Sequence, residues 1–296
     1  MVGPLQIHDT RTGDMPVELQ GMCSLDENVF GPLEEQPPCR AFPQLPFGLF
    51  SNSVAWSADG MLVGATDHPD SEGYLAVWDA RDGKLLHAQP PLGSSFISVV
   101  FRPDSGQLIV STADGELVSF STETWEIVRR TQLDASVDGR THMSFAGFLA
   151  DGTLVAVGGL FGGGGGTLHR LDADALTITS STRAHDGSPK SLAISPDRTL
   201  VATGASDGLV RVWDGPSGTL VHQFSVRGQA QGVAFVDGRH VAVTPQSGSI
   251  IINTIDPEEL LRTVSSSLTR GFRPEQCARF NFGNECPTLD ELKAGQ

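Results

Sequence analysis

The feature that most constrains this 296-residue chain is a motif repeated five times, an apolar run closed by a turn centred on aspartate. Each repeat carries one turn aspartate: Asp59, Asp104, Asp151, Asp197 and Asp237. Successive aspartates lie 45, 47, 46 and 40 residues apart. A second and a third apolar run follow each turn, as in TLVATG (199–204) and LVRVWD (209–214). β-Branched runs bounded by turn residues predict strands, and a fixed period of this length predicts a repeat architecture.

The repeat around residues 185–224 shows the pattern most completely. Its second and third strands flank Asp207-Gly208, a pair typical of a tight hairpin turn, and the third strand ends in Trp213-Asp214. This segment resembles a repeat of the WD-repeat β-propeller family, in which each repeat supplies a four-stranded blade. The resemblance covers about residues 4–255. It implies a structural hydrogen-bonded tetrad within the blade, formed by His185, Thr203, Asp207 and Trp213.

The predicted fold class is therefore all-β, a β-propeller of four-stranded antiparallel blades. Five blades are recognisable, and residues 4–20 align with a third and a fourth strand, which adds half a blade. Five blades and a half blade do not form a closed ring simply by pairing strands from the two chain ends. Either the ring closes irregularly as six blades, or the chain is the C-terminal portion of a longer propeller, which we favour. The fourth strands are predicted at Lys84–Ala88, Glu126–Arg130, Leu176–Ser180 and Leu220–Phe224.

The predicted domain boundary follows residue 255. Residues 1–255 form the propeller, interrupted by a Pro-rich excursion at 21–47 that cannot hold a strand ladder. Residues 256–296 form a short helical tail, because Asp256-Pro257 supplies an N-cap followed by proline at the first helical position. Further short helices are predicted from Pro274 and Thr288. The ending at 268–292 resembles that of bacterial WD-repeat signalling proteins, in which the propeller is the C-terminal sensor half of a multidomain NTPase or transcriptional regulator.

Composition excludes several classes of partner. The formal net charge of −15 opposes binding to nucleic acid and to anionic membrane surfaces, because phosphate contacts need clustered Lys and Arg. The sequence has no apolar run long enough for a membrane span and no signal peptide, so we expect a cytoplasmic location. There, the four cysteines are expected to be reduced thiols. In an oxidising compartment, Cys277 and Cys286 are the candidates for a disulfide.

No catalytic, cofactor-binding or metal-binding residues are predicted. The run Gly162–Gly166 is followed by Thr167-Leu168 rather than by Gly-Lys-Ser/Thr and a helix, so we interpret it as a loop between strands. We predict a non-enzymatic scaffold or sensor module that binds a protein or peptide through its rim loops and channel mouth. The excursion at 21–47 and the insertions at 67–73 and 161–166 are the expected variable surfaces. The alternatives are the sensor part of a larger NTPase or transcriptional regulator, with an upstream domain as partner, and an enzymatic propeller of metal-dependent hydrolase or lactonase type.

Overall fold

The apolar runs of the repeat form antiparallel strands, and the aspartates close the turns between them. The computed structural model describes residues 6–7, 17–18, 51–58, 60, 62–67, 74–89, 92–133, 142–160, 164–267 and 290. Each strand pairs with its neighbours in sequence, which is the meander expected when short turns join consecutive strands. Two short strands, β1 (Gln6–Ile7) and β2 (Val17–Glu18), pair near the N-terminus.

Five larger sheets, here called blades 1 to 5, follow one another along the chain. Blade 1 consists of β3 (Ser51–Trp56), β4 (Leu62–Asp67), β5 (Tyr74–Asp79) and β6 (Leu85–Gln89). Blade 2 consists of β7 (Phe96–Phe101), β8 (Gln107–Thr112), β9 (Glu116–Ser121) and β10 (Ile127–Gln132). Blade 3 consists of β11 (His142–Phe148), β12 (Leu154–Leu160), β13 (Gly166–Asp172) and β14 (Thr177–His185).

Blades 4 and 5 complete the series. Blade 4 consists of β15 (Pro189–Ile194), β16 (Leu200–Ala205), β17 (Leu209–Asp214) and β18 (Leu220–Ser225). Blade 5 has three described strands, β19 (Ala230–Phe235), β20 (His240–Pro245) and β21 (Ile251–Thr254). Helix α1 (Pro257–Ser267) follows, and the Asp256 carboxylate caps it by accepting the Glu258 N–H at 2.9 Å.

The core lies between the blades rather than within any one of them. In blade 2, the second and third strands, β8 and β9, are buried on both faces, whereas the fourth strand, β10, is mostly exposed. Apolar side chains from consecutive blades form one cluster at each junction, including Val77 with Phe101 between blades 1 and 2 and Val212 with Val241 between blades 4 and 5. Face-to-face packing of successive four-stranded antiparallel sheets is the architecture of a β-propeller, so the predicted fold class is confirmed.

Aspartate side chains fix the turns between first and second strands. Their Oδ1 atoms accept the backbone N–H two residues further along: Gly106 on Asp104 at 2.9 Å, Thr153 on Asp151 at 2.9 Å and Thr199 on Asp197 at 3.2 Å. This side-chain mimic of a backbone turn explains why one Asp recurs in every repeat. Asp237 accepts the Arg239 N–H in the same way at 2.6 Å, and the remaining turn aspartate, Asp59, lies outside the described residues.

The fourth strand of blade 3 differs from the sequence prediction. The strand begins at Thr177 and runs to His185, because its backbone continues to pair with β13 as far as Gly166. Leu176, predicted as its first residue, instead lies in the preceding turn with φ of 50°. The predicted excursion at 21–47, the loop at 68–73 and the tail helices from Pro274 and Thr288 fall outside the described residues, except for single residue Asp290.

Candidate functional site

A buried chain of hydrogen bonds links the four residues singled out in the most complete repeat. Trp213 Nε1 donates to Thr203 Oγ1 at 2.9 Å, and Thr203 Oγ1 lies 2.9 Å from His185 Nε2. On the other side of the imidazole, His185 Nδ1 lies 3.1 Å from Asp207 Oδ2. His185 ends the outermost strand of blade 3, whereas the other three residues belong to blade 4. The network therefore joins two blades.

The partners of the imidazole limit its protonation state. An indole N–H only donates, so the Thr203 oxygen accepts from Trp213. Nδ1 faces both the Asp207 carboxylate and Arg211 Nη1, which only donates and lies 3.1 Å away. With hydrogen on Nδ1, the imidazole donates to Asp207 and accepts from Thr203; with hydrogen on Nε2, it accepts from Arg211 and donates to Thr203. Burial lowers the pKa of His185, and the attraction of Asp207 only partly offsets this effect. Both arrangements therefore hold a neutral imidazole.

Asp207 connects the network to the backbone. Burial alone would raise the pKa of its carboxyl, but hydrogen bonds from the Leu209 N–H, His185 and the Asp186 N–H outweigh burial, and the pKa is lowered. The carboxylate thus holds the hairpin turn of blade 4 and the segment after β14 together. Thr203 and His185 are 0% and 1% exposed. A bound substrate therefore has no access to them, and the hydrogen bond between them crosses the junction between the two blades.

Arg211 is a fifth member that the sequence analysis missed. Its Nη1 donates to the carbonyl oxygen of Ala184 at 2.7 Å and lies 3.4 Å from Asp207 Oδ2. The guanidinium therefore bridges the outermost strand of blade 3 and the hairpin of blade 4. Its position, two residues before the tryptophan on β17, was the available signal. A charged residue in a strand otherwise made of Leu, Val and Trp requires a partner.

A second feature is the set of turns at one end of every blade. In a meander of four strands, the turn after the first strand and the turn after the third lie at the same end of the sheet. Contacts between blades show that these ends coincide: Ala150 N–H donates to the Arg198 carbonyl oxygen at 3.0 Å, and Arg102 pairs with Asp174 at 2.6 Å. We call these turns, with the first turn of α1, the turn face.

Carboxylates dominate the turn face. The described turns and the strand residues that border them contain few cationic side chains: Arg81, Lys84, Arg102, Arg198 and Arg239. They contain many more acidic ones: Asp79, Asp82, Asp104, Glu123, Glu126, Asp151, Asp172, Asp174, Asp197, Asp214, Asp237, Asp256, Glu258 and Glu259. Several of these carboxylates are held ionised; hydrogen bonds from Arg81 lower the pKa of Asp79 to about 2. The turn face therefore has a negative electrostatic potential at neutral pH.

The opposite end of the blades holds the predicted glycine loop. Residues 161–163 lie outside the described part, but Gly165 has φ of 78°, and a Cβ there would approach the His185 carbonyl oxygen to 2.9 Å. Glycine is needed because the loop passes close to the backbone beside the network. Cys277 and Cys286, the disulfide candidates, lie outside the described residues.

Among the described residues, no group of three or more His, Cys, Asp or Glu side chains is placed to hold a metal ion. No helix in this described part is long and apolar enough to span a membrane.

Comparisons with known proteins agree with the fold. Residues 176–214 match the family described as WD domain, G-beta repeat. This span runs from the turn before β14 to the end of β17, and so contains all five network residues. The match covers one repeat of the chain.

Curated relatives also resemble part of the chain. Telomerase protein component 1 of Rattus norvegicus is 29% identical over 161 residues, and that of Mus musculus is 30% identical over 160 residues. Each match covers 54% of this chain and 6% of the relative. Eukaryotic translation initiation factor 3 subunit I of Candida glabrata is 26% identical over 187 residues, 56% of this chain and 48% of the relative. These relatives are eukaryotic, and the likeness of residues 268–292 to bacterial signalling proteins stays a prediction.

Proposed function

We propose that this protein is a non-enzymatic scaffold that binds a protein or peptide, with the turn face selecting basic segments of the partner. The observation that carries the proposal is the excess of carboxylates over cations on the turn face. A field of one sign steers a partner of opposite charge and rejects partners of like charge. The net charge of −15 acts in the same direction. A cytoplasmic location remains part of the proposal.

The blades supply rigidity and the turns supply variable chemistry. Backbone pairing and junction cores hold each turn in place, so that a partner meets a preformed surface and loses little affinity to ordering it. Side chains such as Asp174, which is 81% exposed, extend from that surface. The resemblance to a translation initiation factor subunit and to a telomerase component, whose names both describe parts of larger assemblies, supports a scaffold role.

The proposal is tested by removing carboxylate charges from each end of the blades in a separate variant. The probe is a fluorescent Lys/Arg-rich peptide, and its binding is followed by anisotropy at low and high salt. The turn-face variant combines Asp82→Asn, Glu123→Gln and Glu126→Gln. The matched control removes the same charge from the opposite end with Asp114→Asn, Glu116→Gln and Asp186→Asn.

The proposal predicts that the turn-face variant weakens peptide binding about three- to tenfold at low salt, that the control has a smaller effect, and that salt weakens wild-type binding. Equal weakening by the two triple variants would mean that only net charge matters. The turn face would then lose its assigned role. A peptide of the same length rich in Glu should not bind.

A further inference from the structure

The turn between the third and fourth strands contains one residue with a left-handed backbone in each of blades 1 to 4. This residue stands four positions after the end of the third strand: Gly83, Trp125, Leu176 and Gly218, with φ of 72°, 59°, 50° and 70°. Glycine adopts this conformation at no steric cost, whereas a large side chain does so only where its surroundings favour it. The two large apolar residues therefore require an explanation.

Leu176 is explained by the core, but Trp125 is not. The Leu176 side chain is 1% exposed and belongs to the apolar cluster between blades 2 and 3. Trp125 is only half-buried, and its ring stacks on the imidazole of His87 in the outermost strand of blade 1. The ring centroids are 4.9 Å apart and the ring planes differ by 8°. Burial in the core therefore does not account for a tryptophan at this position of the turn face.

The Trp125 ring is not occupied by a positive charge of the chain itself. The face of an indole attracts cations. Burial lowers the pKa of His87, and a hydrogen bond with Gln89 only partly offsets this effect, so the stacked imidazole is neutral at pH 7. Within the described part of the chain, no Lys or Arg side chain stacks on the Trp125 ring. The indole is thus available to a cation supplied by a partner.

Acidic side chains in three of these turns are used by the turn itself. The third strands of blades 1, 3 and 4 end in Asp79, Asp172 and Asp214, whose Oδ1 atoms accept the N–H of Arg81 at 2.9 Å, of Asp174 at 3.0 Å and of Ser217 at 2.9 Å. The third strand of blade 2 ends in Ser121 instead, and its Oγ accepts the N–H groups of Glu123 and Thr124 at 3.3 Å each. A hydroxyl, rather than a carboxylate, therefore fixes the turn that contains Trp125.

Glu123 and Glu126 lie on either side of Trp125 in this turn, and both are exposed. Among the residues that the structure describes, no cation pairs with either carboxylate. Asp174, in the equivalent turn of blade 3, is by contrast paired with Arg102 at 2.6 Å. The turn of blade 2 thus combines a partly accessible aromatic ring with two negative charges that the fold itself does not use.

We propose that Trp125, Glu123 and Glu126 form the subsite of the turn face that receives an arginine side chain of the basic partner. The planar guanidinium stacks on the indole, and the carboxylates accept its N–H groups. Arginine is favoured over lysine because a guanidinium is flat and weakly hydrated, whereas an ammonium is compact and strongly hydrated. The inference rests on the proposed function, since it names the residue type that the turn face selects.

Trp125→Leu removes the aromatic ring and keeps an apolar side chain in the turn. Leu176 shows that leucine is accepted at this position with the same left-handed backbone. Trp125→Phe keeps a ring and is the conservative variant. Trp125→Gly, which copies the turns of blades 1 and 4, replaces Trp125→Leu if thermal unfolding shows that the leucine variant does not fold.

Binding is measured by anisotropy on the full chain with two fluorescent peptides of equal length and charge, one rich in Arg and one rich in Lys. The wild-type protein should bind the Arg-rich peptide about two- to fivefold more tightly, the size of an exposed cation–π contact. Trp125→Leu should abolish this preference by weakening the Arg-rich peptide alone, whereas Trp125→Phe should retain part of it. The indole N–H resonance of Trp125, assigned by its absence from the leucine variant, should shift more with the Arg-rich peptide.

Failure of the subsite is distinguishable from failure of the proposed function. The subsite is overturned, and the turn face keeps its role, if the triple turn-face variant weakens binding while Trp125→Leu leaves the affinity for the Arg-rich peptide unchanged. Equal weakening of both peptides by Trp125→Leu also overturns it, because the ring would then support the turn rather than bind a guanidinium. A wild-type protein that binds the two peptides equally contradicts the choice of arginine. If neither peptide binds the wild-type protein, the proposed function and this inference both fail.

Discussion

The hydroxyl of Thr203 lies 2.9 Å from His185 Nε2, across the junction between two blades. Neither residue has an alternative partner in solvent, since both are essentially fully buried. A single oxygen atom on β16 therefore completes two hydrogen bonds, one to the imidazole and one to the Trp213 indole. The integrity of the junction between blades 3 and 4 depends on this atom.

Replacing Thr203 with Val tests that dependence. The shape of the side chain is conserved, but the indole N–H of Trp213 and Nε2 of His185 lose their partner in a buried setting. We expect a loss of about 2–4 kcal/mol in the free energy of unfolding, the cost of buried polar groups left unpaired. Thr203→Ser keeps the oxygen and should cost about 1 kcal/mol for the lost methyl group. Urea unfolding of the two variants measures the difference; equal losses would contradict the role of the hydroxyl.

The protonation state of His185 predicts how stability depends on pH. Burial lowers its folded-state pKa below the ordinary value of 6.5, so the unfolded chain binds a proton more readily than the folded one. The contribution of His185 to stability should therefore be constant well above pH 6.5 and should fall as pH drops below it. The C–H resonances of His185 should titrate below pH 6.5 in NMR spectra. A folded-state pKa above 6.5 would contradict the neutral, buried imidazole.

His240 predicts the opposite dependence. Its Nδ1 lies 3.0 Å from the Asp237 carboxylate and its Nε2 lies 3.2 Å from Glu259 of α1, and these hydrogen bonds raise the pKa of the imidazole. The stabilisation is present below the unfolded value of 6.5 and is lost as pH rises through the higher folded value. The protection factors of the α1 amides, which are corrected for the intrinsic rise of exchange with pH, should fall over that interval. His240→Gln should remove this fall, whereas His222→Gln on β18 should leave it unchanged.

The turns predict a stabilising substitution. Arg198 adopts φ of 59° in the turn of blade 4, where the equivalent Gly152 of blade 3 has φ of 83°. Because a left-handed conformation costs a residue with a Cβ about 1–2 kcal/mol, Arg198→Gly should stabilise by about 0.5–1 kcal/mol after its larger unfolded-state entropy is counted. Ser105 has the same φ, but its Oγ accepts the Ala58 N–H at 3.1 Å. Ser105→Gly should therefore gain less, and thermal unfolding of both variants checks the order.

Strands could be predicted from the sequence where an apolar run ends at a turn residue. They could not be predicted where the residues of a strand are uniformly polar. Apolar runs such as QLIVST (107–112) predict a buried strand, and the turn aspartates predict where each hairpin turns. The polar run SSTR (180–183) in the outermost strand of blade 3 has no alternation, because its position is fixed by backbone pairing with β13. No local pattern therefore showed that β14 runs to His185.

The members of the hydrogen-bonded network differ in the same way. His185, Thr203, Asp207 and Trp213 were recognised because their residue types and spacing match a known repeat. Arg211 was missed, since its partners, Ala184 and Asp207, come together only after the two blades pack.

The central claim is that the turn face is the surface that meets a basic partner. Hydrogen exchange of the full chain, with and without the Lys/Arg-rich peptide at saturating concentration, tests it most directly. The account predicts slower exchange in the turns at 102–106, 121–126 and 172–176, with little change at 206–208 on the opposite end. Protection confined to 206–208 and the segments beside it, or no protection in any turn, would contradict the assignment.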